Sequence, residues 1–120
     1  MQVRIKEVVN YKGHSVKANG SVDLKFTAMY SELTNSMQVL QLLNNDVKIT
    51  AKIPGMKPLQ LGMFRVNKVI IDGDGESILC FNALNDYVEM DNINNIVCKE
   101  EFQIKMEADV DLEDDEDEGE

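Results

Sequence analysis

Tryptophan is absent, histidine occurs once, proline twice and cysteine twice, and no lysine or arginine falls within the last fourteen residues. Each scarcity removes a class of function. His14 is the only imidazole, and it sits in Lys12-Gly13-His14, a segment that reads as a turn, with no partner in view for general-base work. Cys80 and Cys98 lie far apart, without CxxC spacing and without a neighbouring histidine, so they read as buried thiols of a cytoplasmic protein. No run approaches the ~20 apolar residues that cross a bilayer. The opening MQVRIKEVV alternates with charges and lacks a signal peptide's apolar stretch.

Phosphate loops are missing too, because GSVDLKF lacks the Lys-Ser/Thr ending that such a loop requires. Asp72, Asp74 and Glu76 have the opening spacing of a calcium loop. The position for its closing bidentate glutamate, however, is Ala83, so DGDGES is better explained as a hairpin turn. The residues therefore point away from an enzyme and imply neither cofactor nor metal.

What is present is charge, unevenly placed. The net charge is −10, yet residues 107–120 alone hold ten acids. Residues 1–106 balance twelve bases against twelve acids. That body is itself divided: residues up to Lys68 carry a net +6, and residues 69–106 a net −6. A basic half beside an acidic end is the pattern of a polyanion-binding region with an acidic tail. Like charges in sequence repel one another, so 107–120 is expected to be a disordered tail behind a β-rich domain spanning 1–106.

Alternation runs through most of that domain. MQVRIKEVVNY places Val3, Ile5, Val9 and Tyr11 on one face and Arg4 and Lys6 on the other. Asn19-Gly20 is a hairpin signal, and VDLKFTAMY after it alternates from Val22 to Tyr30 with Lys25 outward. SELTNSMQVLQLLNN changes to helical spacing, which predicts one mid-chain helix near 32–44. DVKITAKI turns Lys48 and Lys52 outward, and Pro54-Gly55-Met56-Lys57-Pro58 is a loop. Strands are expected near 62–71, in SILCFNAL and within IVCKEEFQIKM, while DYVEMDNINN has no clear period. The expected class is mostly β, a small barrel or sandwich with one helix.

If those parities hold, Arg4, Lys6, Lys25, Lys48 and Lys52 point away from the core on three strands, with Asp23 the only acid at these outward positions. Neighbouring strands lie ~5 Å apart, so these side chains make one patch able to track a phosphate backbone. Arg65 joins them as a candidate. Tyr11, Tyr30 and Phe64, near strand ends or loops, are candidates for base stacking, although Tyr30 and Phe64 also fit the core. An ordinary solvated sheet face is the alternative reading of the lysines.

A neutral β-rich body, a basic half, a mid-chain helix and the acidic end EADVDLEDDEDEGE together resemble the small single-stranded DNA-binding proteins of lactococcal and related phages. The resemblance spans the chain as architecture and charge pattern. It implies an oligonucleotide-binding (OB-like) barrel that binds single-stranded DNA without sequence preference. It also implies a homo-oligomer supporting replication and recombination in the cytoplasm of an infected host cell, with partner proteins of those processes meeting the tail. The chain departs in ending Glu118-Gly119-Glu120, without the apolar tip through which many such tails dock partners. Two alternatives remain: an acidic protein that mimics DNA in a basic groove of a partner, and an assembly component with no nucleic-acid role.

Overall fold

Among the described residues six strands form where the sequence alternates apolar and polar residues: β1 (Gln2–Val16), β2 (Ser21–Met29), β3 (Asp46–Lys52), β4 (Leu59–Ile71), β5 (Glu76–Leu84) and β6 (Phe102–Asp109). A 3-10 turn at Asn85–Tyr87 and one short helix, α1 (Met90–Ile96), lie between β5 and β6. The structure, a computed structural model, describes residues 2–29 and 41–109. Residues 32–40 of the helix expected near 32–44 lie outside the described residues, as do Tyr30 and the acidic segment from Val110 onward; of the remainder Gln41 is helical and 42–44 form a turn.

All neighbouring strands are antiparallel, and the sheet closes on itself in the order β1-β2-β5-β4-β3-β6. The length of β1 permits closure. Its first half, Gln2 to Val9, pairs with β6, and its second half, Asn10 to Val16, pairs with β2. A register shift between Tyr11 and Gly13 falls within the second half, and further shifts fall between Ile49 and Thr50 and between Val66 and Lys68. Each extra residue bends its strand and increases the local twist, which curls a sheet towards closure. Lys12-Gly13-His14 is therefore a bulge inside β1, where the sequence suggests a turn.

Inward positions fill the ring. Phe26 packs edge-on against Phe81 at 5.8 Å and against Phe102 at 5.9 Å, and Phe64 meets Phe81 at 6.4 Å. Leu24, Ile49, Leu61, Leu79, Ile104 and Met106 complete the buried interior between them. Burying one such side chain contributes about 1.5–3 kcal/mol. DYVEMDNINN takes the helical option over its second half, because Ile93 and Ile96 recur at helical spacing and both bury against the core. The Asn92 side-chain amide ties α1 to β4 by donating to the Gln60 carbonyl at 2.7 Å.

Hairpin chemistry agrees with the residues present. At Lys17–Gly20 the glycine takes φ +89°, and Asn19 Oδ1 accepts from the Ser21 backbone N–H at 3.0 Å. At Asp72–Gly75 the Gly75 N–H donates to the Asp72 carbonyl at 3.0 Å, so DGDG is a hairpin turn between β4 and β5. Cys80 is buried as expected, but Cys98 is exposed, in the positive-φ segment between α1 and β6. Among the described residues no helix is long and apolar enough to cross a membrane.

Candidate nucleic-acid interface

The position of β6 decides which cations meet. It lies between β1 and β3, and its register fixes three outward rows. Arg4 faces Glu107, which faces Lys48. Lys6 faces Lys105, which faces Thr50. Val8 faces Gln103, which faces Lys52. Directly opposed side chains on a sheet have Cβ atoms ~5 Å apart. Arg4, Lys6, Lys48 and Lys52 thus share one face, joined through a strand that contributes a fifth cation, Lys105. Sequence reading missed Lys105, although the inward Ile104 and Met106 on either side mark it as outward.

Glu107 is the acid at the centre of this face, and Asp109 and Asp46 lie at its end. The Glu107 carboxylate accepts from Arg4 Nε at 3.1 Å and lies 3.9 Å from Lys105 Nζ. Lys52 Nζ donates to the Met56 carbonyl at 3.1 Å, which fixes the lysine beside the Pro54–Pro58 loop. A shallow cavity opens among Lys6, Thr50, Lys52, Pro58, Gln103 and Lys105. Two lysines directly opposed, Lys6 and Lys105, repel each other, an arrangement that costs stability in a sheet. A phosphate placed between them would relieve the repulsion.

The first row continues beyond Lys48 to Met63 on β4, since Lys48 and Met63 are paired. There a cavity of about 450 Å³ is lined by Asp46, Met63, Arg65, Leu84 and Tyr87, among others. Tyr87 is 61% exposed. It is held by a close approach of the turn to β4: Glu89 N–H donates to the Leu61 carbonyl at 3.0 Å, and Gly62 bridges Val88. Gly62 has φ +128°, and a Cβ there would lie 2.9 Å from Val88 Cα and closer still to the Tyr87 carbonyl oxygen. Only glycine fits. No periodic signal marked Tyr87, because its neighbours form a single 3-10 turn.

The remaining candidates separate. Lys25 does not join the first patch. It faces Gly13 on β1 and Cys80 on β5, and β5 stands three places from β6 in the six-membered ring. Phe64 is a core residue, 1% exposed, because its parity follows Val66 inward. Tyr11 is half-buried, its hydroxyl 2.6 Å from His14 Nδ1 and its ring edge-on to that imidazole. Burial raises the Tyr11 pKa, and the nearby Cys98 thiol adds to the rise. Arg65 is outward, but its Nε lies 3.3 Å from Asp46 Oδ1, an exposed pair of little energetic weight. Asp46 and Glu107, besides Asp23, occupy outward positions, so the outer surface is less purely basic than parity suggested.

Asp23 is the third acid. Its carboxylate accepts from the Asn82 amide at 2.6 Å and pairs with Lys17 Nζ at 3.1 Å. The Asn82 hydrogen bond is the main cause that holds its pKa below the ordinary aspartate value, with Lys17 adding to the effect and partial burial opposing it. Compared with protein-family models and with the curated proteins, the chain matches none.

Proposed function

We propose that the chain binds single-stranded nucleic acid without sequence preference, along the outer face of β1, β6 and β3. The observation that carries this reading is the row-by-row register that gathers Arg4, Lys6, Lys48, Lys52 and Lys105 on one face, about the Glu107 carboxylate, with Asp46 and Asp109 at its end. Five cations against three outward acids, Glu107, Asp109 and Asp46, leave a net charge of +2 on the described part of this face. The directly opposed Lys6 and Lys105 bring two cations to one point of the track. At the end of the first row, the exposed Tyr87 lines a cavity with Met63 and Leu84, where a base could stack. A phosphate track flanked by an aromatic platform is the usual chemistry of sequence-tolerant single-strand binding.

This reading places the chain with the phage single-stranded DNA-binding proteins it resembles, supporting replication or recombination. The six-membered ring is one strand larger than the five-stranded OB-fold barrel. The acidic segment after Asp109 acts as a tethered competitor that lowers nonspecific binding.

Titration of single-stranded DNA at several salt concentrations tests the proposal. Four to five phosphate contacts give a log–log salt slope of about −3 to −3.5. Lys48→Glu with Lys52→Glu should weaken binding and flatten that slope by at least ~1.4. Tyr87→Ala should cost ~1–3 kcal/mol of affinity with no change in slope. Binding that ignores salt, or that survives the double reversal unchanged, would refute the assignment. Ending the chain at Asp109 should tighten DNA binding. The DNA-mimic alternative expects instead no DNA binding, and loss of partner inhibition.

A further inference from the structure

Four lysines left out of the first face meet on the opposite side of the ring. Lys25, outward on β2, is flanked by small residues: Gly13 on β1 and Cys80 on β5, with Lys68 of β4 beyond Cys80. A side chain added at Gly13 would meet nothing within 4 Å, and Cys80 is 3% exposed, a floor rather than a wall. The surface is therefore hollow on both sides of Lys25. One cavity of about 430 Å³ is lined by Lys17, Lys25, Asn67, Lys68, Cys80 and Asn82, among others. The other, about 300 Å³, is lined by Lys12, Gly13, His14 and Ser15, and both share Lys25 and Asp23.

Among the described residues Asp23 is the only acid lining either cavity, and it is engaged by Asn82 and Lys17. Among the described residues Lys12, Lys25 and Lys68 take part in none of the ion pairs. The trough therefore has four ammonium groups against one carboxylate. It runs from β1 across β2 and β5 to β4, three strand spacings or roughly 15 Å. That is longer than one phosphate group, and lysine binds phosphate as a point charge without demanding a fixed geometry.

We infer that this trough is a second binding site for a chain of phosphates, held by Lys12, Lys17, Lys25 and Lys68. The inference rests on the strand-binding reading for its class of ligand, though not on the face assigned there. The two sites adjoin at β1, which carries Lys12 of the trough and Arg4 and Lys6 of the first face, so a strand that fills both wraps around the ring from β1. The phosphates come either from a second segment of one long strand or from a second strand.

Calorimetric titration of the full chain at low salt, with a short and a long oligothymidylate, tests this. The short one should bind twice per chain. Lys25→Glu with Lys68→Glu should reduce that to once, and Lys48→Glu with Lys52→Glu should also leave one. One long strand per chain, with a slope that drops by at least ~1.4 in either double variant, identifies a wrapped single strand. Two long strands per chain identify bridging. A single short oligothymidylate per chain whose affinity is unchanged by Lys25→Glu with Lys68→Glu would overturn the second site. Binding abolished by that variant but indifferent to Lys48→Glu with Lys52→Glu would instead overturn the first face and leave the trough as the sole site. Melting curves of both variants distinguish these outcomes from unfolding.

Discussion

Gly62→Ala tests the link between fold and site most directly. The backbone at Gly62 has φ +128°, a conformation that costs an alanine roughly 1–3 kcal/mol. The added methyl group also meets backbone, Val88 Cα at 2.9 Å and the Tyr87 carbonyl, neither of which can rotate away. Overfilling of this kind costs a further ~1–3 kcal/mol. The sum, about 2–6 kcal/mol, should lower the melting temperature of a domain of this size by some 10–30 °C. The strain also falls on the turn that presents Tyr87, so amide resonances of residues 85–89 should move first. Circular dichroism melts and amide spectra of the variant provide the measurement. Gly13→Ala is the internal control, since its methyl group meets nothing and its melting temperature should stay level or rise slightly. A Gly62→Ala shift of under about 3 °C would refute the close approach of the turn to β4, and with it the account of how Tyr87 is held.

Other variants separate stability from binding. Phe64→Ala should cost about 3–5 kcal/mol in urea melts, with DNA affinity of the folded fraction unchanged, because the ring is core and not a stacking surface. Glu107→Gln removes the carboxylate from among Arg4, Lys48 and Lys105, so single-strand affinity should rise and the salt slope steepen by up to ~0.7. Asp23 has a lowered folded pKa, so its contribution to stability is present above the unfolded pKa and is lost as pH falls through the folded value. Asn82→Ala removes the principal cause; carboxyl NMR titration should then show Asp23 titrating at higher pH, with a smaller acid-side loss of stability.

Parity along a strand is a local property, and the residues disclose it well. Val22, Leu24 and Phe26 are buried with Lys25 outside, and Val47, Ile49 and Ala51 are buried with Lys48 and Lys52 outside. Which strand lies beside which is not local. Nothing in IVCKEEFQIKM announces that β6 inserts between β1 and β3, yet that insertion both unites Arg4 with Lys48 and supplies Lys105. For the same reason Lys25, equally outward by parity, falls on the far side. Glu7 shows the limit of parity itself. It occupies an inward position of β1 and is 2% exposed, a carboxylate where alternation leads one to expect an apolar residue. Phe64 shows the other limit, since a position close to a loop in sequence can still be the centre of a strand in the ring.

The acidic end is altered most by knowing the register. Its first acids, Glu107 and Asp109, are not part of a tail: they are the last turns of alternation in β6, paired with Arg4 and Gln2 of β1. The chain therefore leaves the ring beside the Arg4 row, at the edge of the proposed phosphate track. A competitor tethered there needs little length to reach the cations, so its effective concentration is high and depends weakly on the number of residues beyond Asp109. Cutting after Met106 would remove ladder hydrogen bonds and Glu107 together with the tail, confounding a lost strand end with a lost competitor. Cutting after Asp109 leaves the ring intact, so that a change in DNA affinity reports the acids alone.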